Sequence, residues 1–160
     1  MDISKHLNGV KISTGNASVF IDPDGEVDSG VVIFTESQGI SETNDKRLII
    51  EGPGEYEFQG IYLKGTKKND LMSFVISYNS REIYFTNSKA LDSIPDDEPF
   101  DAVIIKVDPD FDETKLTKIA YPTVYLDNSN VLSEKADADT VKSVNLKKIV
   151  PEEKNIYKLS

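Results

Sequence analysis

The chain has 160 residues with no cysteine, no tryptophan and a single histidine, His6, which excludes disulfides and thiolate chemistry and thins the usual catalytic side chains. Its formal charge of −10, from 28 acidic against 18 basic residues, repels phosphate backbones and anionic lipid, so nucleic acid and membrane are not expected partners. One domain over residues 1–160 suits this length, and with 38% hydrophobic residues the chain has apolar surface to bury. The lack of a long apolar run or an apolar leader predicts a soluble, cytoplasmic protein.

Short apolar runs recur at Val10 to Ile12, Val19 to Ile21, Val31 to Phe34, Leu48 to Ile50, Tyr56 to Phe58, Ile61 to Leu63, Phe74 to Ile76 and Ile83 to Phe85. Asn8-Gly9, Asp24-Gly25, Pro53-Gly54 and Asn79-Ser80 punctuate them, so the first hundred residues predict antiparallel β-structure. Alternation in Ser73 to Tyr78 and in Glu82 to Thr86, joined by Asn79, Ser80 and Arg81, predicts a hairpin with one buried face.

The pattern changes after Pro99. Phe100 to Val107 and Thr123 to Leu126 are continuous apolar strands of the kind buried on both faces. Between them, Asp112 as N-cap, Glu113 in the first turn, and Leu116 and Ile119 on one face predict a short helix over Asp112 to Ala120, stopped by Pro122. A second helix is predicted over Ser133 to Val144, with closing strands at Val150 and Ile156 to Leu159. The fold class is thus α+β or α/β, with a β-rich N-terminal part and a β-α-β C-terminal part.

The stretch Leu48 to Gly65, LIIEGPGEYEFQGIYLKG, resembles the "-GPGEYEV-G-" hairpin of small, single-domain members of the metallo-β-lactamase superfamily. Val19 to Pro23 is similar to the "-hhhDP-" strand end of its ascorbate-phosphate-lactonase-like branch. Gly30 to Thr35, Ile83 to Thr86, Asp101 to Val107 and Pro122 to Leu126 are similar to further core strands, so the resemblance runs from about residue 10 to 130. It implies a reduced β-sandwich flanked by short helices. It also implies a His-x-His-x-Asp-His metal motif, which threads after Phe34 onto Glu36, Gln38, Ile40 and Ser41. The bridging aspartate falls at Asn87 or Ser88 and the last histidine at Asn128 or Ser129. Zinc sites need several imidazole, thiolate or carboxylate donors, of which this set supplies a single one, Glu36, so neither metal nor cofactor is expected.

Two acidic runs, Asp22, Asp24, Glu26 and Asp28, then Asp108, Asp110 and Asp112, alternate like calcium loops but lack the glycine and the closing glutamate, and are taken as solvated turns. Glu51, Glu55 and Glu57 beside Pro53-Gly54 are likewise taken as structural, and the polar Thr35 to Gly39 as a loop. The resulting expectation is a catalytically inactive protein that binds a protein partner or a second copy of itself through Tyr56, Phe58 and Tyr62. The alternatives are a hydrolase rebuilt on carboxylates such as Glu36 and Asp22, with or without magnesium, and a small-molecule sensor using the vacated cleft.

Overall fold

The computed structural model describes residues 1–36 and 43–160, so Gln38, Ile40 and Ser41 of the threaded motif lie outside the described residues. The first half forms β1 (Asp2–His6), β2 (Gly9–Ser13), β3 (Ser18–Ile21), β4 (Gly30–Ile33), β5 (Arg47–Ile50), β6 (Gly54–Phe58) and β7 (Ile61–Lys68). The second half forms β8 (Leu71–Tyr78), β9 (Arg81–Asn87), β10 (Ala102–Lys106), β11 (Thr123–Leu126), β12 (Asp139–Val141), β13 (Ser143–Asn145) and β14 (Ile156–Leu159). They build a six-stranded sheet in the order β13-β1-β2-β3-β4-β5 and an eight-stranded sheet in the order β12-β14-β11-β10-β9-β8-β7-β6.

The meander β6 to β9 follows from turn chemistry. Gln59-Gly60, Asn69-Asp70 and Asn79-Ser80 each have positive φ at both residues, which matches the right-handed twist of the strands they join. Pro53-Gly54 does something else. It carries the chain from β5 in one sheet to β6 in the other, and Gly54 takes a φ of +145° that side chains rarely adopt. Leu48 to Gly65 therefore spans both sheets, and its hairpin turn is Gln59-Gly60.

The β-branched alternation places Ile12, Ile33 and Ile50 of the first sheet against Phe74, Ile76, Ile83, Phe85 and Ile104 of the second, each at most 1% exposed. At about 2 kcal/mol per large apolar side chain removed from water, this layer is the main source of stability. A second apolar layer lies on the outer face of the eight-stranded sheet, where Tyr84, Val103, Ile105 and Tyr125 meet Phe100, Leu132 and Ala136.

β10 and β11 run parallel, as the two apolar runs predict, but the crossover is not the predicted helix. Asp112 does cap, accepting from the Thr114 amide at 3.0 Å, yet only a 3-10 turn, Glu113–Lys115, follows. Thr114, Thr117 and Ile119 are β-branched, and Pro122 draws Tyr121 towards extended backbone, so propagation stops. The predicted helix over Ser133 to Val144 is also overturned: after the turn Glu134–Ala136, Asp137 is left-handed at φ +51° and the chain becomes β12 and β13. Among the described residues every helical element is a 3-10 turn. Val150, predicted as a strand, is exposed instead, while β14 forms as expected. No helix of the described residues is long and apolar enough to cross a membrane.

Candidate functional site

Parallel register fixes one row of residues. Lys106 at the end of β10 pairs with Asn87 at the end of β9 and with Leu126 at the end of β11. Opposite this row, at the ends of β3 and β4, stand Asp22 and Thr35. Asp22 takes a left-handed φ of +47°, tolerable for a short polar side chain, and its amide still donates to the Ile33 carbonyl at 2.8 Å. Its carboxylate accepts from the Thr35 amide at 2.8 Å and from the Thr35 hydroxyl at 2.6 Å. From the end of β10 in the other sheet, Lys106 Nζ donates to Asp22 Oδ2 at 2.6 Å, with side chains 33% and 18% exposed. A pair separated by 84 residues in sequence thus ties the two sheets together at this edge.

The other polar groups at the edge are also engaged. Ser88 is buried, accepts from the Asp108 amide at 3.0 Å and donates to Asp108 Oδ2 at 3.3 Å. Asn87 caps the turn Ser88–Ser93 by accepting from the Lys89 amide. Lys89 pairs with Asp110 at 2.9 Å; hydrogen bonding within this exposed pair holds the lysine above, and the aspartate below, its ordinary range. Asp127, just past β11, is 4% exposed, accepts from the Val131 and Leu132 amides at 2.9 Å each, and lies 3.2 Å from Lys158 Nζ. Asn128 donates to the Asn8 carbonyl at 2.7 Å, joining this loop to the β1–β2 turn. That turn can sit so close because Gly9 has no Cβ to strike the Ile21 and Asp22 carbonyls.

The structure places Ser88 at this edge and Glu36 and Ser129 in exposed positions just past β4 and β11. His6, at the end of β1, turns to the outer face, its ring 5.0 Å from Phe20 in an edge-on contact. The acidic runs are resolved into separate duties: Asp22 serves Thr35 and Lys106, Asp24 accepts from Asn8, and Asp108, Asp110 and Asp112 serve Ser88, Lys89 and Thr114.

Tyr56, Phe58 and Tyr62 do not form one surface. Tyr56 and Phe58 pair with Leu63 and Ile61 and pack against the core between the sheets, and the Tyr56 hydroxyl donates to the Gly52 carbonyl at 3.0 Å. Tyr62 pairs with Glu57 on the other face and is 61% exposed. Strand alternation separates them. Sequence reasoning passed over Lys106, Asp127 and Lys158, although a lone charge ending an apolar run, as in AVIIK and TVYLD, is a visible signal of a strand end with a polar task.

No family model and no curated protein matches the sequence. A solved structure does match: a Thermotoga maritima protein assigned provisionally as a Zn-dependent hydrolase of the metallo-β-lactamase superfamily, with a TM-score of 0.64 over 99% of this chain and 98% of that one, at 13% identity. The metal implied by such a fold needs several donors on one point. Among the described residues no three His, Cys, Asp or Glu side chains stand together so as to hold one, and Asp22, Asp108 and Asp127 at this edge are already bonded to protein donors. This donor set does not fit zinc.

Proposed function

We propose that this chain, a metallo-β-lactamase fold, has relinquished metal-dependent hydrolysis and serves as a binding or assembly module. One observation carries the reading: the Lys106 ammonium lies 2.6 Å from Asp22 at the edge where the ends of β4, β9, β10 and β11 converge. A divalent ion held by Asp22 would lie within about 4 Å of that ammonium. At an effective dielectric of about 20 their repulsion is on the order of 8 kcal/mol, so the ion and Lys106 exclude each other. The ammonium supplies the positive charge that Asp22 needs and makes the edge self-sufficient.

The proposed partner is protein, either another chain or a second copy. β6 supports this because it ends the eight-stranded sheet and leaves one row of backbone donors and acceptors facing away from β7. Its side chains divide the work, with Tyr56 and Phe58 fixing the strand to the core and Glu55 and Glu57 exposed. The rebuilt carboxylate hydrolase is less well supported, since both Asp22 oxygens are bonded within the protein.

The test combines turnover and assembly. With zinc, manganese or magnesium added, phosphodiester, lactone and β-lactam substrates should be hydrolysed no faster than in buffer. Sedimentation or affinity capture should detect a complex weakened by proline at Glu57, which removes one β6 amide. Metal-dependent turnover abolished by Asp22→Asn contradicts the proposal.

A further inference from the structure

Four strands end the two sheets, β13 and β5 in one, β12 and β6 in the other. They are not equally open. β12 and β13 have three residues each, too short to seat a further strand well. β5 is engaged on its free side, where the Arg47 amide donates to the Asn44 carbonyl and the Ile49 amide to the Thr43 hydroxyl, both at 3.2 Å. β6 has five residues, and among the described residues no backbone group on its free side has a partner.

The hairpin turn identifies those groups. With only Gln59 and Gly60 in the loop, Phe58 and Ile61 exchange both backbone bonds, and Tyr56 and Leu63 do the same two residues on. The amides and carbonyls of Glu55 and Glu57 therefore point away from β7. Their side chains are exposed on the outer face of the sheet, in the rows that Lys64 and Tyr62 continue on β7. Tyr56 and Phe58 alternate with them on the inner face, half-buried against the core.

Charge decides what can pair here. In an antiparallel pair with a second copy, the outward groups of Glu55 and Glu57 meet those of the same residues, so glutamate stands directly opposite glutamate, which is destabilising. Lys64 does not relieve this. An added strand lies about 5 Å from β6 and about 10 Å from β7, so it meets the glutamates first and Lys64 only beyond them. A basic strand gains where a second copy loses, and the net charge of −10 steers such a strand towards the chain.

We propose that β6 takes an extended segment of another protein in which basic and apolar residues alternate. Its Lys or Arg side chains face Glu55 and Glu57, and its apolar side chains extend the layer begun by Tyr56 and Phe58. Tyr62, 61% exposed beside Glu57, lies within reach of a long basic side chain and offers it a ring face. The assignment rests on the binding-module reading and narrows it, because β6 then excludes a second copy.

The probe is the acetylated and amidated peptide KVKVK, titrated into the full chain and followed by backbone amide chemical shifts, with EVEVE as its counterpart. Saturable shifts centred on residues 54–58 and 62–64 are expected with KVKVK and none with EVEVE. Glu55→Gln with Glu57→Gln should weaken KVKVK binding about three- to tenfold, the loss of two exposed charge pairs. Glu55→Lys with Glu57→Lys should exchange the preference, binding EVEVE in place of KVKVK. Sedimentation without peptide should show no dimer that Glu57→Pro disperses. No saturable shift with KVKVK at millimolar concentration, shifts elsewhere, equal binding of the two peptides, or unchanged binding by the glutamine variant would each overturn the assignment. A parent dimer dispersed by Glu57→Pro would overturn it too, while upholding the binding-module reading; metal-dependent turnover would instead overturn that reading.

Discussion

The strand ends at Asn87, Lys106 and Leu126 and the outer cleft at Tyr125 belong to one sheet, yet they treat their polar groups in opposite ways. At the strand ends, Asp22, Ser88, Asp108 and Asp127 all find protein partners, several of them from distant parts of the chain. In the outer cleft, lined by Leu116, Ile119 and Ile156, the Tyr125 hydroxyl, Lys118 and Lys135 have no partner among the described residues, and they are open to solvent. Polar groups that are satisfied internally hold a structure together, while those open to solvent need no further partner. The polar groups at the Asp22–Lys106 edge are thus bonded within the protein, whereas those of the outer cleft face solvent.

The largest effect that would sharpen this contrast is expected at Asp127. Asp127→Ala leaves two amides without their acceptor and Lys158 with Asn130 Oδ1 but no counter-charge, and because the carboxylate side chain is 0% exposed the loss should be about 3 kcal/mol in urea unfolding. A loss below about 1 kcal/mol would show that water replaces the carboxylate and that this edge is more open than described.

Next in size is an alkaline effect at the cleft. Burial pushes the Tyr125 phenol from its ordinary 10.0 up to about 12. The folded chain therefore holds this proton more tightly than the unfolded one. Its contribution is fully present below pH 10 and is lost as pH rises to 12, with a limit of about 2–3 kcal/mol. Tyr125→Phe should remove this component of alkaline unfolding, so parent and variant should diverge above pH 10. Parallel stability curves would contradict it.

Lys106→Met should cost about 1 kcal/mol, since the pair is only partly buried and solvent screens some of the loss. Adding Asp22→Asn should restore part of it, and the double-mutant cycle isolates the coupling. Additive effects would mean that the two side chains are neighbours without being partners. Smallest of all, Lys89→Gln should leave the melting temperature within measurement scatter, because Lys89 and Asp110 are exposed and screened.

The same two regions show how far the sequence could be read. The β-branched runs and paired turn residues announced most of the strands, because a buried strand leaves a period-two or continuous apolar trace. β1 went unseen because DISKH has one apolar residue, Ile3, and β12 and β13 because three-residue strands carry almost no period. The helices failed where β-branched and capping residues outweighed a plausible start: Asp112 caps a turn rather than a helix. At the candidate site, the metal motif could be threaded onto positions such as Ser88 and Ser129 because such a threading needs only chain order. The Asp22–Lys106 pair was not legible, since partners 84 residues apart meet only through the topology.

The central claim is that the edge at Asp22 balances its charge with Lys106 and not with a metal ion. Elemental analysis after equilibrium dialysis of the full chain against micromolar zinc tests it most directly. Zinc well below one equivalent per chain is expected for the parent, with no change on Asp22→Asn. One or two equivalents per chain, lost on Asp22→Asn, would contradict the account.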